Sequence, residues 1–444
     1  MIRVLQATAW YPPHHLGGTE VYLTGLVRGL RNHSVTSRIL APLAPQAEDR
    51  YEHDGAVVRT YPVNQEASRS EFRGRSPHEG FSRFCEILRE EQPDVYHQHS
   101  WTRGLGAQHL EAAHKLGLKT VLTLHTPNAI CLRGTMMHFG EEACDGRIRI
   151  SRCSACWGHA RGAPKPISRL LARVPRAVGN ILESVGVNAR FSTALSARGI
   201  AAERRSEFAH LLNNADRIVA VCQWLYDALA CNGVPVEKLV LSRQGVDESF
   251  ESFAVDSRAE GISRSNKPFR LIYVGRWHPV KGLDVLVKSV LAIPRHVPLE
   301  LVIHGLGSGP EEREYEAAIR KLAMPDSRIR IVPPVSRQRL AGTLQEADAL
   351  AVPSVWLETG PLVVLEAKAI GLPVIGSRIG GIAELVQEPE DGVLVAPNAV
   401  DLWTQAILEF SGNYRTRERE QRPRAIRTMR DAAQEMATLY RSLC

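Results

Sequence analysis

Short apolar runs alternate with helical segments along most of this chain, and this alternation constrains the fold more than any other feature. One helical segment places Leu23, Leu26, Val27 and Leu30 on a single face, and others are predicted at 81–91 and 104–116. Such alternation is typical of a parallel sheet covered by helices on both faces. Strands are predicted at 2–8, 35–40, 57–61, 94–97, 120–124, 217–221 and 239–241, then at 271–274, 299–303, 329–332, 347–352, 374–376 and 392–395.

The length of the chain, 444 residues, exceeds the usual limit of one hydrophobic core and predicts two domains. Residues 255–268 are polar and poor in large apolar side chains, so we interpret them as a linker. The predicted fold class is α/β: two doubly wound, Rossmann-like domains facing across a cleft, with ligands beyond the carboxyl ends of the strands. We place these domains at 1–254, with an insert at 128–210, and at 268–423, and expect a helix at 424–444 to fold back on the first domain.

The net charge and the distribution of apolar residues indicate what kind of partner and which cellular compartment to expect. The formal net charge of +7 favours an anionic partner. Without a long apolar leader or a stretch near the ~20 apolar residues that cross a bilayer, we expect a cytoplasmic protein. Eight cysteines are too dilute for a disulfide scaffold, so we expect reduced thiols.

Two carboxylates, Glu358 and Glu366, lie eight residues apart across a Gly360-Pro361 break. If Pro361 opens a helix, Glu358 lies in the preceding loop and Glu366 in the second turn. The helix N-terminus between them then offers N–H groups and a positive dipole end, which suit a diphosphate. The alternative is a solvated helix that carries two surface glutamates.

Two cations, Arg276 and Lys281, follow a predicted strand and lie between Gly275 and Gly282. Positive charge at the carboxyl end of a strand suits a diphosphate whose charge grows as its bond to a sugar breaks. A solvated basic turn is the alternative. The later glycine loop at 305–309 lacks the spacing of a dinucleotide fingerprint and fits an ordinary strand-to-helix turn equally well.

Taken together, these motifs resemble the retaining glycosyltransferases of family 4, which have the GT-B fold. The resemblance rests on the Gly275-Arg276 and Lys281-Gly282 pairs, the Glu358-x7-Glu366 spacing, the segment 366–375 and the Gly380-Gly381 loop with Glu384. It extends to the Gly17-Gly18 loop and to His125 at the end of a predicted strand.

The resemblance implies a nucleotide-sugar site in the second domain and an acceptor site in the first. Arg276 and Lys281 would hold the donor diphosphate, Glu366 the ribose and Glu358 the donor sugar, with Gly275, Gly360, Pro361 and Leu362 lining the same site. Gly17 and Gly18 would bring backbone N–H groups to the phosphate or the acceptor, and His125 would touch the donor sugar near its reacting carbon. One departure concerns sugar specificity, because Thr359-Gly360-Pro361 stands where many members carry Phe-Gly.

The chain contains no Asp-x-Asp motif, so we expect catalysis to need no cofactor and the diphosphate charge to be met by Arg276, Lys281 and helix dipoles. Family members transfer the sugar with retention and have no generally assigned enzymatic nucleophile. The resemblance therefore implies that the leaving phosphate takes the proton of the acceptor.

Four cysteines, Cys131, Cys144, Cys153 and Cys156, fall within 26 positions of the insert as C-x12-C-x8-C-x2-C. This spacing suits a structural zinc ion, which would order a loop too polar to form its own core. Unpaired thiols and disulfides are the alternatives.

The insert also carries a basic stretch, since no Asp or Glu occurs from Arg147 to Leu182. Apolar residues at helical spacing within 165–178 favour a helix that lies on an anionic membrane surface. A basic helix packed on its own domain is the competing interpretation. We expect no nucleic-acid binding, because no recognised module or aromatic platform accompanies the charge.

We therefore predict a retaining, metal-independent hexosyltransferase that moves a sugar from a nucleotide-diphosphate sugar to a saccharide or lipid-linked saccharide during surface polysaccharide synthesis. A nucleotide-sugar epimerase or hydrolase of the same fold is one alternative. A non-catalytic, nucleotide-binding regulatory subunit is the other.

Overall fold

The structure is a computed structural model that forms two compact units. The first unit contains Met1–Arg243 and Met429–Cys444, and the second contains Gln244–Thr428. Most of the predicted linker at 255–268 lies outside the described residues. These are 1–13, 17–43, 49–64, 71, 76–99, 101–102, 104–175, 196–250, 267–307, 309–414 and 426–444.

The first unit is built on an eight-stranded sheet in the order β10-β9-β6-β5-β1-β2-β4-β3. All neighbours are parallel except the edge strand β3, which pairs with β4 in the antiparallel sense. A separate two-stranded hairpin lies in the insert. The strands are β1 Ile2–Ala7, β2 Val35–Leu43, β3 Arg50–His53, β4 Ala56–Pro62, β5 Val95–Gln98, β6 Lys119–Leu124, β7 Met137–His138, β8 Glu142–Ala143, β9 Arg217–Ala220 and β10 Leu239–Leu241.

The helices of the first unit include three in and beside the insert. They are α1 Gly18–Leu30, α2 Phe81–Glu91, α3 Ala107–Lys115, α4 Ile150–Ala160, α5 Lys165–Leu171, α6 Ala197–Asn214 and α7 Gln223–Cys231, followed after the second unit by the C-terminal helix Met429–Leu443. The predicted basic helix within 165–178 thus ends at Leu171, before Pro175, and residues 176–178 lie outside the described part of the chain.

The C-terminal helix packs on α1 because two glycines remove side chains from the contact. A Cβ at Gly29 would lie 2.7 Å from Ala433 Cβ, and one at Gly25 would lie 3.0 Å from Met429 Cγ. Both helices therefore approach closely and complete the apolar core of the first unit, which also contains Leu26 and Met436.

The second unit contains a six-stranded parallel sheet in the order β13-β12-β11-β14-β15-β16. This is the doubly wound order in which the first strand lies third from one edge. Its strands are β11 Phe269–Arg276, β12 Leu299–Leu306, β13 Ile329–Val332, β14 Ala349–Val352, β15 Val374–Ser377 and β16 Gly392–Val395. Its helices are α8 Leu283–Ala292, α9 Pro310–Ala323, α10 Arg337–Gln345, α11 Leu362–Ala369, α12 Gly380–Leu385 and α13 Val400–Tyr414. Two α/β units with largely parallel sheets confirm the predicted fold class.

Each sheet has one point at which the order of its strands reverses. In the first unit this switch point lies between β1 and β5, and in the second it lies between β11 and β14. Loops that leave the carboxyl ends of these strands diverge to opposite faces, so a crevice opens there for a ligand. Among the described helices, none is long and apolar enough to cross a membrane.

Candidate functional site

The loops that follow β11 and β14 are fastened together at the switch point of the second unit. Val355 N–H donates to Val280 O at 2.9 Å. Gly282 has a φ of +65°, and a Cβ there would lie 2.0 Å from Pro353 O. Because only glycine fits this position, the 3₁₀ turn Pro279–Lys281 can direct Lys281 toward the loop after β14.

Lys281 and Glu358 form a buried ion pair in this crevice. Lys281 Nζ lies 2.6 Å from Glu358 Oε1, and Ser354 Oγ donates to the same oxygen at 2.7 Å. Burial by itself would raise the pKa of Glu358, which is only 5% exposed. The Lys281 charge and the hydrogen bonds from Lys281 and Ser354 outweigh burial, so the pKa is lowered and the carboxylate is ionised at neutral pH.

The Gly380-Gly381 loop holds the backbone around Glu358. Gly381 N–H donates to Glu358 O at 2.6 Å, and a Cβ at Gly381 would lie 2.6 Å from Gly360 N. A Cβ at Gly380, which has a φ of +53°, would lie 2.9 Å from Leu357 Cα. The two glycines therefore allow the loop to lie directly against the segment that carries Glu358.

Glu366 lies in the second turn of α11, as predicted, but its carboxylate faces a partner that the sequence did not indicate. Arg337, the first residue of α10, forms an ion pair with it and also lies over the Phe250 ring at 5.1 Å. Burial raises the pKa of Glu366 more than Arg337 lowers it. Pro361 is the N-cap of α11, so the helix begins at Leu362, one residue later than expected.

Arg276 ends β11 and its side chain is exposed, unlike that of Lys281. Its carbonyl accepts from Tyr273 OH at 3.1 Å, and Gly275 leaves room for that ring, since a Cβ there would lie 2.7 Å from the hydroxyl. In the glycine loop at 305–309, Gly305 serves packing, because a Cβ would lie 1.9 Å from the Trp277 ring. The ordinary-turn interpretation thus fits Gly305 better than a phosphate loop.

At the switch point of the first unit, His125 lies in a buried network of uncharged polar groups. His99 Nε2 donates to Gln6 Oε1 at 2.8 Å, so in its neutral form His99 Nδ1 is an acceptor for His125 Nε2–H at 3.3 Å. This assignment leaves His125 Nδ1 as the acceptor atom of its ring. The edge of Tyr22 packs on the same ring, with centroids 5.0 Å apart.

A third histidine links this network to the C-terminal helix. His97 Nδ1 lies 2.6 Å from Tyr440 OH, and His97 Nε2 lies 2.7 Å from Thr123 Oγ1. Burial lowers the pKa of His125 to about 3, and burial with the neighbouring histidines lowers the pKa values of His97 and His99 well below the ordinary value. All three imidazoles are therefore neutral at pH 7.

The predicted glycines of the first unit occupy a helix start. Gly17 is the N-cap of α1 in an extended conformation, and Gly18 is its first residue. Glu20, buried in the first turn, complements the positive end of the helix dipole.

Only some of the predicted site residues come together in the second unit. The structure brings Lys281 onto Glu358, leaves Arg276 exposed and pairs Glu366 with Arg337. Sequence reasoning missed Ser354 and Arg337, which no motif distinguished. It also missed the other members of the histidine network, although two histidines at the end of a predicted strand, with His125 at the end of the next, could have indicated it.

The four insert cysteines border a common cavity of about 30 Å³. They are free thiols, and burial raises the pKa of Cys144 and Cys156 and brings that of Cys153 to about 11. Within the described ranges, no group of three or more His, Cys, Asp or Glu side chains is arranged to hold a metal ion. The thiols are near one another without forming a ligand set.

The basic helix α5 contacts its own unit through some side chains and exposes others to solvent. Lys165 pairs with Glu141, and the Arg169 guanidinium lies 5.3 Å from the centre of the Phe139 ring. Ile167 and Leu170 are 49% and 65% exposed. The helix therefore packs on its own unit by one side and presents apolar side chains on another.

Comparison with solved structures identifies the class of fold. Sucrose-phosphate synthase from Thermosynechococcus elongatus aligns with a TM-score of 0.65 at 19% identity, over 100% of this chain and 99% of that one. The Anabaena protein HepE, solved in complex with UDP and glucose, aligns with a TM-score of 0.57 at 15% identity, over 99% and 95%. The two Rossmann-like units are those of the GT-B glycosyltransferase fold.

Comparison with sequence families identifies the family. The model described as Glycosyltransferase Family 4 matches residues 16–250, more than half of the chain, and the model described as Glycosyl transferases group 1 matches residues 257–427. This chain therefore belongs to glycosyltransferase family 4, and it is a nucleotide-sugar-dependent glycosyltransferase. The D-inositol 3-phosphate glycosyltransferase of Arthrobacter sp. strain FB24 is 26% identical over 407 residues, 88% of this chain and 81% of that protein.

Proposed function

We propose that this glycosyltransferase transfers a hexose, with retention, from a nucleotide-diphosphate sugar to a saccharide or lipid-linked saccharide in surface polysaccharide synthesis. The donor site is the crevice at the switch point of the second unit. The observation that carries this proposal is the buried Lys281–Glu358 ion pair, to which Ser354 adds a hydrogen bond.

The ion pair suits a nucleotide-sugar donor, which combines a charged diphosphate with an uncharged sugar. The ammonium of Lys281 stabilises negative charge that grows on the diphosphate as the glycosidic C1–O bond breaks. The carboxylate of Glu358 keeps Lys281 oriented before the donor arrives and can accept hydrogen bonds from sugar hydroxyls. Arg276 adds a second cation at the end of β11, and Glu366 is proposed to accept from the ribose.

Retention is proposed to follow from attack on the face that the diphosphate leaves. The acceptor oxygen forms its bond to C1 while the C1–O bond to phosphate breaks, and the departing phosphate oxygen takes the acceptor proton. His125, neutral because its pKa is lowered to about 3 by burial, is proposed to pair with a sugar hydroxyl rather than to act as an acid.

Transfer from UDP-, GDP- and ADP-hexoses tests this function. The acceptors should include neutral oligosaccharides, lipid-linked saccharides and inositol 3-phosphate, because a relative is named for that last compound. We expect one donor to be used, a product with the anomeric configuration of the donor by NMR, and a loss of about 100-fold or more in kcat for Glu358→Ala and Lys281→Ala. Lys288→Ala, which breaks an exposed pair with Asp284 on α8, is the matched control and should retain activity.

Other outcomes would favour the alternatives. Donor consumption without an acceptor would indicate an epimerase or hydrolase, and nucleotide binding without any turnover would indicate a regulatory subunit. Full transfer by both site variants, or a product of inverted configuration, would contradict the mechanism.

We also propose that the four insert thiols bind a structural zinc ion after small rotations of their side chains. Their position around one cavity supports this, and zinc would offset the raised pKa values of Cys144, Cys153 and Cys156 by stabilising the thiolates. Protein purified without chelator should contain about one zinc per chain by atomic absorption, as four thiolates form one closed tetrahedral site. Cys153→Ser with Cys156→Ser should lose it, and Cys231→Ser, at an exposed position, should keep it. A metal content far below one per chain in the wild type would contradict this proposal.

We further propose that α5 meets an anionic membrane surface through its exposed Ile167 and Leu170. Binding to vesicles that contain phosphatidylglycerol should weaken with salt and fall when Arg169 and Arg173 become Glu. Arg205→Glu, a change at an exposed position on α6, is the control. Equal binding by all three proteins would exclude α5 as the contact.

A further inference from the structure

The first unit contains a cavity of about 530 Å³ that neither the donor site nor the histidine network uses. Its walls come from the loop after β5, helix α3, the insert helix α4 and helix α6. This volume falls within the usual range of small-molecule sites, roughly 300–1,000 Å³. The insert therefore completes a chamber that the sheet and its regular helices would leave open.

Two tryptophans give the cavity its aromatic surface. Trp101 and Trp157 both line it, Trp157 with only 4% of its surface exposed, and an arginine lies over each ring. The Arg204 guanidinium lies 3.6 Å from the centre of the Trp101 ring, and that of Arg161 lies 5.3 Å from Trp157. Trp101 Nε1 is buried and has no hydrogen-bond partner among the described residues, so it remains able to donate to a ligand.

The charged groups of the cavity are mostly acidic, although the chain as a whole carries a net charge of +7. Four glutamates line it against two arginines, both of which are engaged with the tryptophans. The glutamates are Glu71, Glu111, Glu203 and Glu207. Above pH 7, where Glu207 with its pKa of about 7 is also ionised, such a lining repels phosphates and carboxylates, and its carboxyl oxygens accept hydrogen bonds from neutral hydroxyl groups.

Glu207 and Arg204 show how little solvent reaches this wall. Arg204 Nε lies 3.8 Å from Glu207 Oε2, too far for a hydrogen bond. Burial raises the pKa of Glu207 to about 7 despite Arg204, and burial lowers the pKa of Arg204 to about 10. A ligand with hydroxyl groups would supply the hydrogen bonds that this loose pair does not make.

We infer that this cavity binds an uncharged pyranose unit of the acceptor saccharide. A pyranose has a face of C–H bonds that packs on an aromatic ring and a rim of hydroxyls that pair with carboxylates, which is the combination offered by Trp101 and the glutamates. The inference rests on the proposed function, because it names the acceptor class of the same enzyme. It also limits that class, since uronic acid or phosphorylated sugar units are excluded from this cavity.

Titration calorimetry of the full chain tests the inference without requiring turnover. The uncharged probes are lactose, cellobiose, maltose and N,N′-diacetylchitobiose, and the anionic probe is the unsaturated disaccharide of hyaluronan. We expect at least one uncharged probe to bind and the anionic probe not to bind. Trp101→Phe and Glu207→Gln should each weaken that binding about tenfold, the usual effect of losing a hydrogen bond to a charged or buried group.

Glu316→Gln is the matched control, because it breaks a helical Glu–Arg pair with Arg320 in the second unit. It should bind the saccharide as the wild type does, and all variants should bind the nucleotide diphosphate normally. Absence of binding by every uncharged probe, tighter binding of the anionic probe, or equal weakening by Glu316→Gln would overturn the inference. If transfer activity exists and neither cavity variant raises the KM for a neutral acceptor, the cavity assignment fails while the proposed function stands.

Discussion

The two switch points of this molecule occupy the same place in their sheets but differ in electrostatic character. In the second unit, the buried groups are an ammonium and a carboxylate, Lys281 and Glu358, joined at 2.6 Å. In the first unit, they are three imidazoles, His97, His99 and His125, whose pKa values are lowered mainly by burial. One crevice therefore keeps its charges at neutral pH, and the other excludes charge.

This difference is consistent with the proposal that the two units serve different parts of one reaction. A buried charge is retained only where a partner and hydrogen bonds compensate it, as Lys281 and Ser354 compensate Glu358. Such a site suits a charged nucleotide donor. A neutral hydrogen-bonding network suits the hydroxyl groups of an uncharged sugar, in agreement with the acidic, aromatic cavity proposed in the same unit.

The largest expected effect comes from separating the ion pair. Lys281→Met should reduce the free energy of unfolding by about 3–5 kcal/mol at pH 7, because it leaves Glu358 as a buried charge. The double variant with Glu358→Gln should recover part of this loss in urea denaturation. The exposed Lys288–Asp284 pair is the control, and its cycle should give a coupling below about 1 kcal/mol. Additive losses at Lys281 and Glu358 would show that the pair is not coupled.

The histidine network should make stability fall in acid. Below the ordinary pKa of about 6.5, the unfolded chain takes up protons that the folded chain excludes, so stability rises with pH across this window. The slope between pH 5 and 6.5 should approach about 1.4 kcal/mol per pH unit for each buried imidazole. In urea denaturation, His97→Gln should lower this slope by about 1.4 kcal/mol per pH unit, which corresponds to the uptake of one proton. A slope for His97→Gln equal to that of the wild type would contradict a neutral network.

The glycine loop beside Glu358 should tolerate no side chain. In Gly381→Ala the added methyl group would meet Gly360 N at 2.6 Å and Glu358 O at 2.8 Å, so the backbone must move. We expect a loss of about 1–3 kcal/mol in stability and an increase in the donor KM. Gly412→Ala on α13, where a Cβ meets nothing within 4 Å, should be neutral or slightly stabilising. A normal donor KM for Gly381→Ala would show that this loop does not position Glu358.

The smallest effect is expected at the C-terminal helix. Tyr440→Phe removes the hydroxyl that lies 2.6 Å from His97 Nδ1 and 3.3 Å from Gln6 Nε2, and it should cost about 1–2 kcal/mol. Tyr226→Phe on α7 is a control of the same chemistry outside the network. Equal stability of the two variants would show that the network does not use the helix.

Apolar patterning predicted most strands, because parallel strands buried on both faces leave a continuous hydrophobic run in the sequence. The edge strand β3, Arg50–His53, escaped prediction since its four residues are all polar or amphipathic and its pairing is antiparallel. Pro361 was expected to open a helix and instead caps it, because its ψ of 123° is extended. Such terminal shifts depend on local geometry that the pattern does not specify.

The candidate site was only partly accessible from the sequence. Lys281 and Glu358 were expected to serve one ligand, but their direct contact arises because β11 and β14 are neighbours in the sheet, which hydrophobic periodicity does not encode. The pairing of Arg337 with Glu366 and the cavity around Trp101 likewise bring together segments that are distant in the chain. The sequence indicated which residues could bind charged groups or hydroxyl groups. The side chain that each of them contacts could be known only from the order of the strands in the sheet.

Calorimetric titration of UDP, GDP and ADP into the wild type, Lys281→Ala and Lys288→Ala tests most directly whether Lys281 holds the donor diphosphate. We expect one nucleotide to bind at one site per chain, Lys281→Ala to weaken its affinity about tenfold or more through loss of a charge-assisted contact, and Lys288→Ala to leave the affinity unchanged. Equal affinities in all three proteins would contradict the assignment of the donor diphosphate to the switch point of the second unit.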